Sequence, residues 1–134
     1  MDLGEVMIVA GLGSRSAISA QQVDAAIDAA LAHSHLPSDQ LDLIAVPALK
    51  GAEAGIQAAA AGRGILLRLI TQDLLEAANS RTVTRSKRSM AAMNVHSVAE
   101  AAALAGAGPN ARLLAPRICV GSVTCALAKG EITA

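Results

Sequence analysis

Glu5-Val6-Met7-Ile8-Val9-Ala10-Gly11-Leu12-Gly13 is the stretch on which the fold turns. Glu5 to Ala10 is a short apolar run that suits a buried strand, and Gly11-Leu12-Gly13 suits a tight turn after it. Ser19 then opens a helix, with Gln22 three residues on as its capping-box partner. Val23, Ala26, Ile27, Ala30 and Leu31 recur on one face at helical spacing, with Asp24 and Asp28 on another. The helix stops before Pro37, because the residue ahead of a proline avoids helical geometry.

The alternation continues outward from this unit. Leu41 to Leu49 reads as a second strand, with Pro47 limiting hydrogen bonding near its end. Ala52 to Ala61 is helix-favouring and is ended by Gly62 and Gly64, and Ile65 to Ile70 reads as a third strand. Thr71 caps a short helix through Ala78. Residues 79–96 show no clean period, and Ser97 with Glu100 forms a second capping box for a helix to about Ala105. Arg112 to Ile118 and Val120 to Leu127 are the last two strands, joined too tightly for a helical crossover and so antiparallel to each other. This order predicts an α/β chain with three α/β/α layers. Its sheet would be mixed but mostly parallel, of about five strands with helices on both faces, in a single domain over residues 1–134.

Composition narrows the function. The 134 residues suit one compact domain, able to bury roughly two-thirds of its unfolded surface. Alanine supplies 31 residues, while Phe, Tyr and Trp are absent. A mean hydropathy of +0.46 argues against intrinsic disorder. Eleven basic and eleven acidic residues leave no net charge, which speaks against nucleic-acid binding, as does the lack of stacking rings. Cys119 and Cys125 make no disulfide framework. If both lay on one strand they would stand about 20 Å apart, beyond the reach of a disulfide. No apolar stretch approaches the ~20 residues of a membrane span, and Asp2 and Glu5 stand where a signal peptide is basic. A soluble, cytoplasmic protein is expected, with no membrane partner. Charge is uneven: residues 1–67 balance to −4 and residues 68–134 to +4. One positive end suits an anionic small molecule.

Four segments carry candidate chemistry. Gly11, Gly13, Ser14 and Arg15 follow the first strand at the edge where such folds bind ligands, and Arg15 can fork onto a carboxylate or phosphate. The dinucleotide fingerprint is incomplete, because Ser16 replaces its third glycine and no acid ends strand two. Lys50, Gly51 and Glu53 follow the second strand. Lys50 can bind an anion or give a proton and Glu53 can act as acid or base, although in a first helical turn it also simply favours the dipole. Arg81, Thr82 and Arg85 open the irregular segment, whose basic cluster continues through Lys87 and Arg88 and serves as well as a solvated face. Glu100 has a structural reading as the partner of Ser97. His33, His35, His96 and the two cysteines lack metal-site spacing, so no metal and no cofactor is expected.

Several segments recur in a familiar order: Gly11-Leu12-Gly13-Ser14-Arg15, Leu49-Lys50-Gly51-Ala52-Glu53-Ala54-Gly55, Ser97-Val98-Ala99-Glu100-Ala101-Ala102-Ala103-Leu104, Leu113-Leu114-Ala115-Pro116-Arg117 and Val123-Thr124-Cys125-Ala126-Leu127-Ala128. Together they resemble the family of the cobalamin-biosynthesis protein CobE and the C-terminal domain of CbiG. Ser14 stands where that family commonly has cysteine, Arg117 where it has lysine, Gly51 where it has alanine and His96 where it has glycine.

The resemblance implies a protein of corrin-ring construction that binds, and carries, a polycarboxylated methylated precorrin. Its candidate ligand-binding residues are Gly11, Gly13, Ser14, Arg15, Lys50, Gly51, Arg81, Thr82, Arg85, Ser97 and Glu100. Two alternatives stay open. One is a precorrin lactone hydrolase with Lys50, Glu53 and Glu100 as catalytic groups, a carboxylate activating water while Lys50 polarises the carbonyl. The other is a docking module for another corrin-pathway enzyme, using Arg85, Lys87 and Arg88.

Overall fold

The computed structural model describes residues 5–15 and 17–132. Its elements run β1 (Glu5–Ser14), α1 (Ala20–His33), β2 (Leu43–Pro47), α2 (Ala54–Arg63), β3 (Leu66–Ile70), α3 (Gln72–Ala78), α4 (Lys87–Met93), α5 (Val98–Ala107), β4 (Arg112–Leu113), β5 (Ile118–Val120) and β6 (Val123–Ile132). Asp2 and Ser16, on which two of the readings above rest, lie outside the described residues.

The sheet has the order β3-β2-β1-β6-β4, with β5 also paired to β6. β1, β2 and β3 are parallel, β6 is antiparallel to β1, and β4 and β5 are each antiparallel to β6. Five strands therefore run one way and β6 alone runs back, which makes the sheet mixed, with two parallel and three antiparallel pairings.

Alternation along β1 splits the core into two layers. Ile8, Ala10 and Leu12 join Val23, Ile27, Ile44, Ile56 and Leu127 on the α1–α2 side. Val9 joins Leu43, Ala45, Ile70, Leu75 and Leu104 on the side of α3 and α5. α1 follows its sequence pattern closely. Val23, Ala26, Ile27, Ala30 and Leu31 are its buried residues, and the Ser19–Gln22 capping box is complete. α5 is different, because eight of its ten residues are buried. Small side chains let it lie directly on the sheet. A Cβ at Gly11 would collide with the Ala99 carbonyl and the Ala103 backbone, so this glycine makes room for a helix, not for a ligand.

The structure departs from the sequence reading in six places. Gly11-Leu12-Gly13, read as a tight turn, continues β1 and pairs with Ala126, Cys125 and Thr124 of β6. The last strand, read from Val120, begins at Val123, because Val120 ends β5 and Gly121-Ser122 makes the turn between them. β2 ends at Pro47 and the chain turns through a 3-10 turn over Ala48–Lys50 instead of continuing to Leu49. Residues 79–96, read as irregular, hold a 3-10 turn and α4, whose N-cap is Ser86. No α4 residue is buried, so no apolar period was there to find. The strand over Arg112–Ile118 is really β4 and the start of β5, separated at Pro116. The two cysteines lie on neighbouring strands, not one: Cys119 pairs with Thr124, and Cys125 with Ile118. Adjacent register positions face opposite ways, which leaves Cys119 exposed, Cys125 buried and both free.

Candidate functional site

A cleft of about 710 Å³ opens where β1 and β2 end and β6 begins. β1 is the point from which the chain steps outward to β2 and β3 on one side, with β6 and β4 on the other. Ligands of open α/β sheets bind at such a crossing, beyond the carboxyl ends of the strands. The volume falls within the ~300–1,000 Å³ usual for small-molecule sites.

Three structural units form its walls. The first is the strand-end pair of Gly13-Ser14-Arg15 and Pro47-Ala48-Leu49-Lys50, of which all but Ala48 line the cleft. Gly13 pairs with Thr124 across the sheet, and the Thr124 hydroxyl donates to the Gly13 carbonyl at 3.1 Å. The second is α4, which brings Arg88, Ser89, Ala92 and Met93, preceded by its cap Ser86. The third is the β5–β6 hairpin, which brings Arg117, Cys119, Gly121, Ser122 and Thr124. Val98 closes the floor.

Arg15, Lys50, Arg88 and Arg117 thus converge, and among the described residues no Asp or Glu lines the cleft. None of the four forms an ion pair among the described residues, where Arg63 alone does, with Asp24 at 2.8 Å and Asp28 at 2.7 Å. The hydroxyl oxygens of Ser14 and Ser89 are buried in the same walls and find no partner among the described residues. Buried hydroxyls are normally satisfied, so these two mark places where a polar ligand atom fits. Pro47, Leu49, Ala92, Met93 and Val98 give the cleft apolar surface, and Leu49 is 66% exposed.

The sequence-derived residues divide. Gly13, Ser14, Arg15 and Lys50 line the cleft. Gly11 is covered by α5, as described. Gly51 packs beside Leu69 and its carbonyl accepts from Gln57 at 2.7 Å. Arg81 donates to the carbonyls of Pro109 (3.2 Å) and Ala111 (3.1 Å), away from the cleft lining. Thr82 is buried, donating to the Asn79 carbonyl at 2.7 Å and accepting from Arg85 at 3.1 Å. Ser97 is buried and caps α5. Glu53 accepts from the Ala17 amide at 3.4 Å, and Glu100 is buried; neither lines the cleft. Of the three residues named for hydrolysis, only Lys50 does.

Arg88 and Arg117 were quoted in the sequence but not picked out for the site. The usable signal for Arg88 was Ser86 followed by Ser89, an N-cap that converts the basic run into a helix with one face on the cleft. Arg117 had only its place between a proline and a strand.

Known proteins agree with this architecture. Residues 8–128 match the family described as Cobalamin synthesis G C-terminus. The chain is 35% identical over 121 residues to Protein CobE from Sinorhizobium sp, covering 90% of this chain and 79% of that protein. The crystal structure of CobE, a protein from the cobalamin (vitamin B12) biosynthetic pathway, matches with a TM-score of 0.90 at 28% identity, over 96% of this chain and 94% of that one. Cobalamin biosynthesis protein chiG from Agrobacterium tumefaciens str. C58 matches with a TM-score of 0.73 at 41% identity, over 91% and 97% of the two chains. The chain belongs to the cobalamin synthesis G C-terminus family and is a CobE-like protein of cobalamin biosynthesis.

Proposed function

We propose that the cleft binds a methylated, polycarboxylated tetrapyrrole of the precorrin type and holds it for the next enzyme of the pathway. One observation carries this reading: among the described residues, four cations and no carboxylate line a cleft that is otherwise largely apolar. Precorrins carry acetate and propionate groups around an apolar, methylated macrocycle. The forked guanidinium groups of Arg15, Arg88 and Arg117 match carboxylates two bonds at a time. Leu49, Met93 and Val98 offer surface to the ring, and the hydroxyls of Ser14 and Ser89 can donate to further carboxylate oxygens. The described residues of the lining offer no carboxylate to activate water, which favours binding over lactone hydrolysis.

The test is a titration with uroporphyrin, a stable octacarboxylic porphyrin, beside a dicarboxylic porphyrin, at two salt concentrations. Uroporphyrin should bind more tightly and lose affinity with salt, and Arg88→Ala or Arg117→Ala should each weaken it about tenfold. Equal, salt-independent affinity for both porphyrins would overturn the proposal.

A further inference from the structure

Glu100 is 0% exposed and stands on α5, outside the cleft lining, yet it touches Arg117 of one cleft wall and the loop that leads into another. Its Oε1 accepts from the amides of Val83 (2.7 Å) and Thr84 (2.9 Å). Its Oε2 accepts from the Thr84 hydroxyl (2.5 Å) and the Arg117 amide (3.0 Å). The capping box expected with Ser97 is only half made. The Ser97 hydroxyl accepts from the Glu100 amide at 3.3 Å, while the Glu100 side chain turns to the loops.

These four donors come from two segments. Val83 and Thr84 lie three and two residues before Ser86, the N-cap of α4, so their position bears on that of Arg88 and Ser89. Arg117 is held by its backbone, which leaves its side chain to the cleft. α4 fully buries none of its own residues, and its apolar hold on the core is half-buried Met93 at its C-terminal end. The ties around it are polar: the Ser86 amide donates to the His96 carbonyl at 3.1 Å, Asn79 accepts from the His96 amide at 2.7 Å, and Gln72 donates to the Met93 carbonyl at 2.7 Å. Burial pushes the Glu100 carboxyl up, but the hydrogen bonds from Thr84, Arg117 and Val83 outweigh it and hold it below the ordinary carboxylate range. It is therefore an acceptor at neutral pH.

We infer that Glu100 is a positioning residue of the cleft: one buried carboxylate clasps the loop into α4 and the backbone of Arg117 together, and so fixes the spacing of the two cations. Its consequence for ligand affinity rests on the cleft being the binding site, whereas the clasp itself does not.

The experiment therefore has two arms, using Glu100→Gln, Thr84→Val and Thr84→Ser in the full chain. In the first, hydrogen exchange is followed without ligand. Glu100→Gln should speed exchange together in residues 83–93 and 117–119 while α1 and β1 stay protected; loosening of only one segment, or of the whole chain equally, would overturn the clasp. In the second, uroporphyrin affinity should fall about tenfold in Glu100→Gln, and much less when Glu100→Gln is added to Arg88→Ala/Arg117→Ala. An unchanged affinity, or full additivity, would refute the positioning role. Should Glu100→Gln fail to fold, Thr84→Val removes one bond from the exposed side and should move both readouts the same way. Thr84→Ser should restore them. A wild-type chain that ignores uroporphyrin would defeat the cleft reading and the affinity role with it, leaving the exchange arm to decide the clasp.

Discussion

Replacing Gly11 by alanine tests how α5 sits on the sheet. The new methyl would be driven into the Ala99 carbonyl and the Ala103 backbone. Both obstacles are main chain, so no rotamer change relieves the clash and α5 must lift from β1. Overpacking costs about 1–3 kcal/mol, and a backbone obstacle places Gly11→Ala at about 3 kcal/mol. At roughly 2.1 cal/mol/K per residue, a chain of 134 residues then loses about 10 °C in Tm. Gly62→Ala is the matched control. Gly62 lies inside α2 with nothing within 4 Å of an added Cβ, and alanine is the better helix former. It should gain about 0.5 kcal/mol, or about 2 °C. Thermal unfolding followed by circular dichroism at about 222 nm reads both. A Gly11→Ala protein melting within about 2 °C of the parent would refute the seating of α5 described above.

Three further outcomes follow. Burial pushes the Cys125 thiol up to about 12, whereas Cys119 is exposed, so a thiol reagent at neutral pH should modify one cysteine in the native protein and two in denaturant; two fast thiols in the native state would contradict the β5–β6 register. Because its hydrogen bonds hold the Glu100 carboxyl below the ordinary value of 4.5 in the fold, the unfolded chain takes up its proton more readily. The stabilisation is present above that value and lost as pH falls through the folded one, so Glu100→Gln should show a shallower acid loss of Tm than the parent. An equally steep loss would show that Glu100 is not the group responsible. Arg81→Ala should leave uroporphyrin affinity within about twofold, since Arg81 is bonded to the carbonyls of Pro109 and Ala111 away from the cleft.

Where hydrophobic period and caps act locally, the sequence was readable. The five buried residues of α1, its Ser19–Gln22 box and the antiparallel last pair of strands all follow from spacing and turn length. The strand-end residues Gly13, Ser14, Arg15 and Lys50 were also legible, because the topology of an α/β sheet sends them to one edge. What escaped was set by long-range contact. α4 faces solvent and the cleft, so it shows no apolar stripe, and Arg88 stayed hidden in a run of charge. Glu100 fits a capping box by spacing, but hydrogen bonds to Val83, Thr84 and Arg117 reach across sixteen or more residues and cannot be read locally. Gly11 looked like a ligand glycine because close approach of a helix and of a ligand demand the same missing side chain.

The central claim is that the cleft holds a tetrapyrrole, and the chain's own composition makes this directly visible. With no Trp, Tyr or Phe, the protein is almost transparent near 280 nm, so absorption from there into the visible belongs to what it binds. The measurement is the ultraviolet–visible spectrum of the chain purified by gel filtration from cells making cobalamin precursors. The account predicts a co-eluting tetrapyrrole spectrum that disappears in Arg88→Ala/Arg117→Ala. A colourless protein that stays colourless after incubation with purified methylated precorrins would contradict it.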